Sequence, residues 1–252
     1  MSVAAVLTAA GSGSRLGHAL PKAVVPVAGA PLVVHAARAL LAARGADASR
    51  VVHLVVTAPA QHRADVLRAL EAVEAGDARV EVVTGGRTRQ ESVAAGLAVI
   101  GDDVDVVLVH DAARAFATPD LVARVIDAVR AGHDAVVPGL AVVDTVKRVG
   151  EPRGEEGWPV VETVPRAQLR AVQTPQGFRR DVLVRAHAAG AARAGDEATA
   201  ASDDAGLVED AGVAVWVVAG EEAAAKITTP RDVAVAELLH GPRSGARADE
   251  EA

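Results

Sequence analysis

The chain has 252 residues, enough for one large domain that buries most of its unfolded surface without a covalent brace. It has no cysteine, which excludes a disulfide scaffold, a thiolate zinc site, an iron–sulfur cluster and a cysteine nucleophile. A formal charge of −7, with two Phe, two Trp and no Tyr, gives no sign of a polyanion-coating surface or of a stacking platform for single-stranded nucleic acid.

In chain order, the first predicted strand is VAAVLTA (3–9). No basic segment precedes it, as a signal peptide would need, and no uncharged run reaches the roughly 18 residues of a membrane span. A cytoplasmic protein that binds neither nucleic acid nor membrane is expected. Further strands are predicted at 51–56, 79–84, 105–110, 134–139 and 213–218, each nearly continuously apolar, as suits strands covered on both faces. Helical spacing occupies 31–44, 60–75, 88–99 and 119–131, the last opened by Thr118 as N-cap and Pro119 at the first helical position. VVDTVKRV (142–149), a Gly/Pro/Glu-rich turn and WPVVETV (158–164) predict a long hairpin. The fold class is α/β: one Rossmann-like, mostly parallel sheet, helices on both faces and a projecting β-hairpin arm. One domain is expected over 1–240, with the arm at about 141–165 and a polar tail at 241–252 expected to be disordered.

Ligands of open α/β sheets sit at the carboxyl ends of the strands. The first strand runs into Ala9-Ala10-Gly11-Ser12-Gly13-Ser14-Arg15-Leu16-Gly17, followed by Pro21-Lys22. Its glycines are not spaced as in the dinucleotide fingerprint, and no Gly-Lys-Ser/Thr of a P-loop follows. Taken alone, the loop is either an anion cradle flanked by Arg15 and Lys22 or a tight strand-to-helix turn. Only three of the 26 basic residues are lysines (Lys22, Lys147 and Lys226), which singles each out, because an ammonium and a guanidinium do different work.

Combined with other segments the loop becomes specific. Gly85-Gly86-x-x-Arg89-x-x-Ser92-Val93, His110-Asp111-Ala112-Ala113-Arg114, Asp144-Thr145-Val146-Lys147 and Thr174-Pro175-Gln176 follow it in order. The set resembles 2-C-methyl-D-erythritol 4-phosphate cytidylyltransferases over nearly the whole chain. Two departures stand out: Ala115 follows Arg114 where the family usually has Pro, and Ala224-Ala225 precede Lys226 where it often has Asn-x.

The resemblance implies attack of a sugar-alcohol phosphate on the α-phosphorus of CTP, with Mg²⁺ bound through the triphosphate. It implies Arg15 and Lys22 as catalytic cations. Ala9, Ala10, Gly11, Gly85, Gly86, Ser92 and Ala112 match nucleotide-binding positions. Asp111, Arg114, Thr145, Arg166 and Lys226 match acceptor-binding positions, with Asp111 also facing the metal region. A homodimer formed through the arm is implied as well. His110 is expected to be structural, Lys147 to lie on a solvated face and Asp203-Asp204 to start a helix rather than bind metal. Two other readings stay open: a ribitol-5-phosphate or other sugar-phosphate nucleotidylyltransferase, and a non-catalytic nucleotide-binding regulatory protein.

Overall fold

Successive side chains of a strand point to opposite faces of its sheet, and the first strand fills both. In strand β1 (Ser2–Thr8) of the computed structural model, Val3, Ala5 and Leu7 enter one core, and Ala4 and Val6 enter the other. The structure describes residues 2–10, 21–154 and 157–241. The glycine loop with Gly11 and Arg15, and the predicted tail beyond Gly241, lie outside the described residues.

After β1 come a small hairpin, β2 (Pro26–Val27) and β3 (Ala30–Pro31), and helix α1 (Leu32–Ala42). Then follow β4 (Val51–Ala58), α2 (Arg63–Leu70), β5 (Arg79–Thr84), α3 (Arg89–Leu97), β6 (Val104–Asp111) and α4 (Pro119–Arg130). Strands β5, β4, β1 and β6 lie side by side and parallel. The first core packs α1, α2 and α4 on one face of the sheet. The second packs α3 on the other, with α5 (Arg180–Ala189) and α6 (Asp204–Asp210). The six predicted strands and four predicted helical segments are all present. Thr118 caps α4 as expected, its hydroxyl accepting from the Leu121 N–H at 3.1 Å.

The sheet is less uniform beyond β6. Strand β11 (Gln176–Arg179) runs antiparallel between β6 and β7 (Ala135–Ala141). β10 (Arg170–Val172) pairs antiparallel with the far end of β7, and β12 (Val215–Ala219) pairs with β7 in parallel on its other side. Gly177 lets β11 pass under α4, since a Cβ there would stand 2.5 Å from Val125 Cγ1. The predicted arm is a separate antiparallel pair, β8 (Val146–Val149) and β9 (Val160–Val164). The chain ends in α7 (Pro230–His240), opened by a capping box between Thr229 and Asp232. Among the described residues, no helix is long and apolar enough to cross a membrane.

Candidate active site

A cleft of about 610 Å³ opens beside the carboxyl ends of β1 and β6 and the loop after β5. Ala9 and Ala10 continue β1 along its wall, with the Ala9 N–H bound to the Thr57 carbonyl at 2.8 Å. Lys22 lines the cleft from a short 3-10 turn, Lys22–Val24.

The loop after β5 forms a second wall. The Gly85 N–H donates to the Ala58 carbonyl at 2.8 Å, and the Gly86 N–H donates to Ser92 Oγ at 3.1 Å. Ser92, in the first turn of α3, donates in turn to the Thr88 carbonyl at 2.9 Å. A Cβ on Gly85 would approach Ser92 Oγ to 2.8 Å and the Ala10 side chain to 3.1 Å. The two loops therefore meet closely only because both carry small residues.

The third wall carries charge. Asp111 ends β6, its N–H bound by Thr174 Oγ1 at 3.1 Å and its Oδ1 accepting from Thr8 Oγ1 at 3.2 Å. Arg89 Nε reaches Oδ1 at 3.0 Å, and Lys226 Nζ reaches Oδ2 at 2.8 Å. Burial pushes the Asp111 carboxyl up, but Arg89 and Lys226 outweigh it and hold it well below the ordinary carboxylate range. Burial likewise opposes the charge on Arg89, which Asp204 and Asp111 more than restore. Lys226 arrives from a segment latched to β6's outgoing turn, where the Ile227 N–H donates to the Ala113 carbonyl at 2.8 Å.

Ala9, Ala10, Lys22, Gly86, Ser92, Asp111, Ala112 and Lys226 thus line one cleft, with Gly85 directly behind it. Other expected residues stand elsewhere. Arg114 spends its guanidinium on the carbonyls of Ala224 (2.8 Å) and Val172 (3.1 Å), tying the Lys226 segment to β10. Thr145 and Arg166 are exposed at the base of the arm, outside the cleft lining, and Arg166 Nη1 donates to the Val143 carbonyl. The two departures from the family pattern fit their sites: Ala115 and Ala224 are both buried, Ala224 against Ala117 and Leu121.

His110 is structural as expected. It is fully buried, with Nδ1 facing Thr174 Oγ1 at 2.9 Å, and burial pushes its pKa down to about 4. Lys147 is exposed on the arm, bonded to Thr163 Oγ1 at 2.6 Å. Asp203 caps α6, so the acidic pair does start a helix. Asp204 does more: fully buried, it takes Arg89 Nη1 at 2.6 Å and His187 Nε2 at 2.8 Å. Sequence reasoning gave neither Arg89 nor Asp204 this part, and the only signal was the place of Arg89 inside the Gly85-Gly86 motif. Among the described residues, no group of three or more His, Asp or Glu could hold a metal ion.

Lys22, Arg87, Arg89 and Lys226 face the cleft against two carboxylates, Asp111 and Glu197. Such a surface suits a polyanion. The family model for 2-C-methyl-D-erythritol 4-phosphate cytidylyltransferase matches residues 3–241. The chain is 50% identical to the enzyme of that name from Saccharopolyspora erythraea over 244 residues, 95% of this chain and 99% of the relative. It is 48% identical to the Streptomyces coelicolor protein of the same name over 240 residues, 94% of this chain and 84% of the relative. Among solved structures, it is similar to the cytidylyltransferase from Thermus thermophilus, with 36% identity, a TM-score of 0.71, and coverage of 95% of this chain and 99% of that one.

Proposed function

The chain belongs to the 2-C-methyl-D-erythritol 4-phosphate cytidylyltransferase family, and from that premise we propose that it joins CTP and 2-C-methyl-D-erythritol 4-phosphate. The products are 4-diphosphocytidyl-2-C-methyl-D-erythritol and pyrophosphate, in the non-mevalonate route to isoprenoids. The observation that carries this reading is the close approach of the small residues Ala10, Gly85, Gly86 and Ser92 beside the Asp111–Lys226 pair, with Lys22 lining the same cleft.

The chemistry asks little of a base. A phosphate monoester is largely dianionic at pH 7, so its oxygen can attack the α-phosphorus directly. One P–O bond forms there, the bridging α–β P–O bond breaks, and pyrophosphate leaves with the electron pair. The barrier lies in bringing two polyanions together and neutralising the charge of the transition state. We assign that work to Lys22, which lines the cleft, together with Arg15 of the glycine loop. Lys226 and Asp111 hold the acceptor: the ammonium takes its phosphate or hydroxyls, and the carboxylate, kept ionised by its two cations, accepts from a hydroxyl. The close-set small residues Ala10, Gly85, Gly86 and Ser92 build the wall against which the cytosine base is assigned, in keeping with the family positions they match.

Mg²⁺ enters with CTP as part of that substrate. Both oxygens of Asp111 already accept from cations, so the donor set fits an ion carried by the triphosphate better than one held by the protein.

The arm supports a homodimer. Val143, Trp158, Val160 and Val161 are each more than half exposed on or beside it, an apolar surface that a second copy would cover. Thr145 and Arg166 stand at its base, outside their own chain's cleft, and would serve the partner's site.

Pyrophosphate release tests the reaction. With Mg²⁺, CTP should outperform UTP, ATP and GTP, and methylerythritol phosphate should exceed ribitol 5-phosphate by at least about tenfold in kcat/KM. A preference for ribitol 5-phosphate would replace the acceptor assignment, and absence of release with any pair would leave a nucleotide-binding protein without turnover.

A further inference from the structure

The acceptor wall continues inward as a chain of charges that direct contact with substrate does not explain. Behind Asp111 stands Arg89, behind Arg89 stands Asp204, and behind Asp204 stands His187. The far end is the most deeply buried: the side chains of Asp204 and His187 are 1% and 6% exposed. A carboxylate only accepts, so His187 donates Nε2–H to Asp204 Oδ1, and Asp204 Oδ2 takes Arg89 Nη1. Three elements supply the three residues: α3, α5 and the first turn of α6.

The guanidinium geometry gives this chain a purpose. Nε and Nη2 form one edge of the planar fork, the edge that commonly grips both oxygens of a carboxylate. Among the described residues that edge makes a single contact, Nε to Asp111 Oδ1, and Nη2 is buried with no hydrogen-bond partner. The other oxygen, Oδ2, is left to Lys226. Asp204, pulling on Nη1 at 2.6 Å, anchors the guanidinium on its far side. Without that anion, the attraction of Arg89 for Asp111 has no competitor, and the fork can turn until Nε and Nη2 take both oxygens. Lys226 would then lose its carboxylate partner and its place in the cleft.

We propose that Asp204, held by His187, is a positioning residue that acts through Arg89 to keep one oxygen of Asp111 for Lys226. This inference rests on the cytidylyltransferase reading, because it assigns the network to the acceptor half of that reaction.

Asp204→Asn keeps the shape and removes the charge. The expected result is a folded enzyme whose KM for methylerythritol phosphate rises and whose kcat falls, about ten- to a hundredfold together in kcat/KM, with the KM for CTP within about twofold of wild type. The effect should vanish in the Asp111→Asn background, where Asp204→Asn costs nothing further; damage spread through the fold would instead add. A crystal structure of the Asp204→Asn protein gives a readout independent of turnover, with Arg89 on both oxygens of Asp111 and Lys226 released. If Asp204→Asn does not fold, His187→Leu and His187→Gln replace it: Gln restores a donor near the Nε2 position and should recover the acceptor KM that Leu raises. Unchanged acceptor kinetics in a folded variant, additive losses with Asp111→Asn, or an unmoved Lys226 would each overturn the proposal. An inactive wild-type protein would instead overturn the assigned reaction, with the crystal structure still deciding whether Asp204 holds Arg89 in place.

Discussion

His110 and Asp111 are neighbours at the end of β6 and meet opposite electrostatic conditions. Asp111 points to two cations and stays charged; His110 points into the core and stays neutral, its pKa lowered from 6.5 to about 4 by burial. Thr174 Oγ1 accepts from the Asp111 N–H and shares one hydrogen bond with His110 Nδ1, while Nε2 is buried without a partner among the described residues, so the core offers an imidazolium nothing to replace its hydration. A folded protein that refuses a proton its unfolded chain takes up loses stability as the solution becomes more acidic. The contribution of His110 is complete above pH 6.5 and is lost between there and pH 4, about 3 kcal/mol in all. Asp111 and Asp204, also lowered, contribute a second loss that begins below about pH 4. His110→Asn places an amide oxygen near Nδ1 and has no titration in this range. Urea titrations at pH 7 and pH 5 should therefore show a smaller drop for the variant than for wild type, and equal drops would contradict the assignment.

At the scale of elements, the parallel strands were legible because burial on both faces leaves an unbroken apolar run, and α1 to α4 because they carry one apolar face, whereas α5 was not singled out. β10 and β11 were not, because Arg170-Ala171-Val172 and Gln176-Gly177-Phe178-Arg179 take their place from pairing with β7 rather than from composition. The same divide runs through the site. Lys22, Asp111 and Lys226 stood out in short motifs, whereas the Arg89–Asp204 pair joins residues 115 apart and leaves no local trace. The arm shows what an element can carry on its own. Among the described residues its strands bond only to each other, and Val149, Trp158, Val160 and Val161 are exposed. Trp158→Asp or Val161→Asp should leave far-ultraviolet circular dichroism unchanged and shift the protein toward monomer in sedimentation velocity at micromolar concentration, with turnover falling about tenfold or more. A dimer of undiminished strength would remove the arm from the interface.

The whole molecule divides at β11. One half of the cleft comes from residues 8–10, 22, 86–92 and 111–113, the other from 197–202, 226 and 228. In a two-fold dimer built on the arm, each site would take Lys22 from one chain and Arg166 from the other. Mixing inactive Lys22→Ala and Arg166→Ala chains, with subunit exchange shown independently, should then restore about a quarter of wild-type turnover, since half of the dimers are mixed and each mixed dimer has one complete site. If both residues served the same site from one chain, no activity would return. The position of β11 also bears on how the protein is made. A ribosome releases β5, β4, β1 and β6 as a contiguous parallel block, and that block can pair as soon as residue 111 has emerged. β7 cannot join it, because every strand that hydrogen-bonds to β7 is synthesised later and the one that bridges it to β6 ends at Arg179. For some seventy residues of translation the nascent chain presents β6 as a bare apolar edge, the kind of surface that recruits chaperones or templates aggregation. Translational pausing within that window, rather than at the termini, is where expression of this enzyme is most exposed to misassembly.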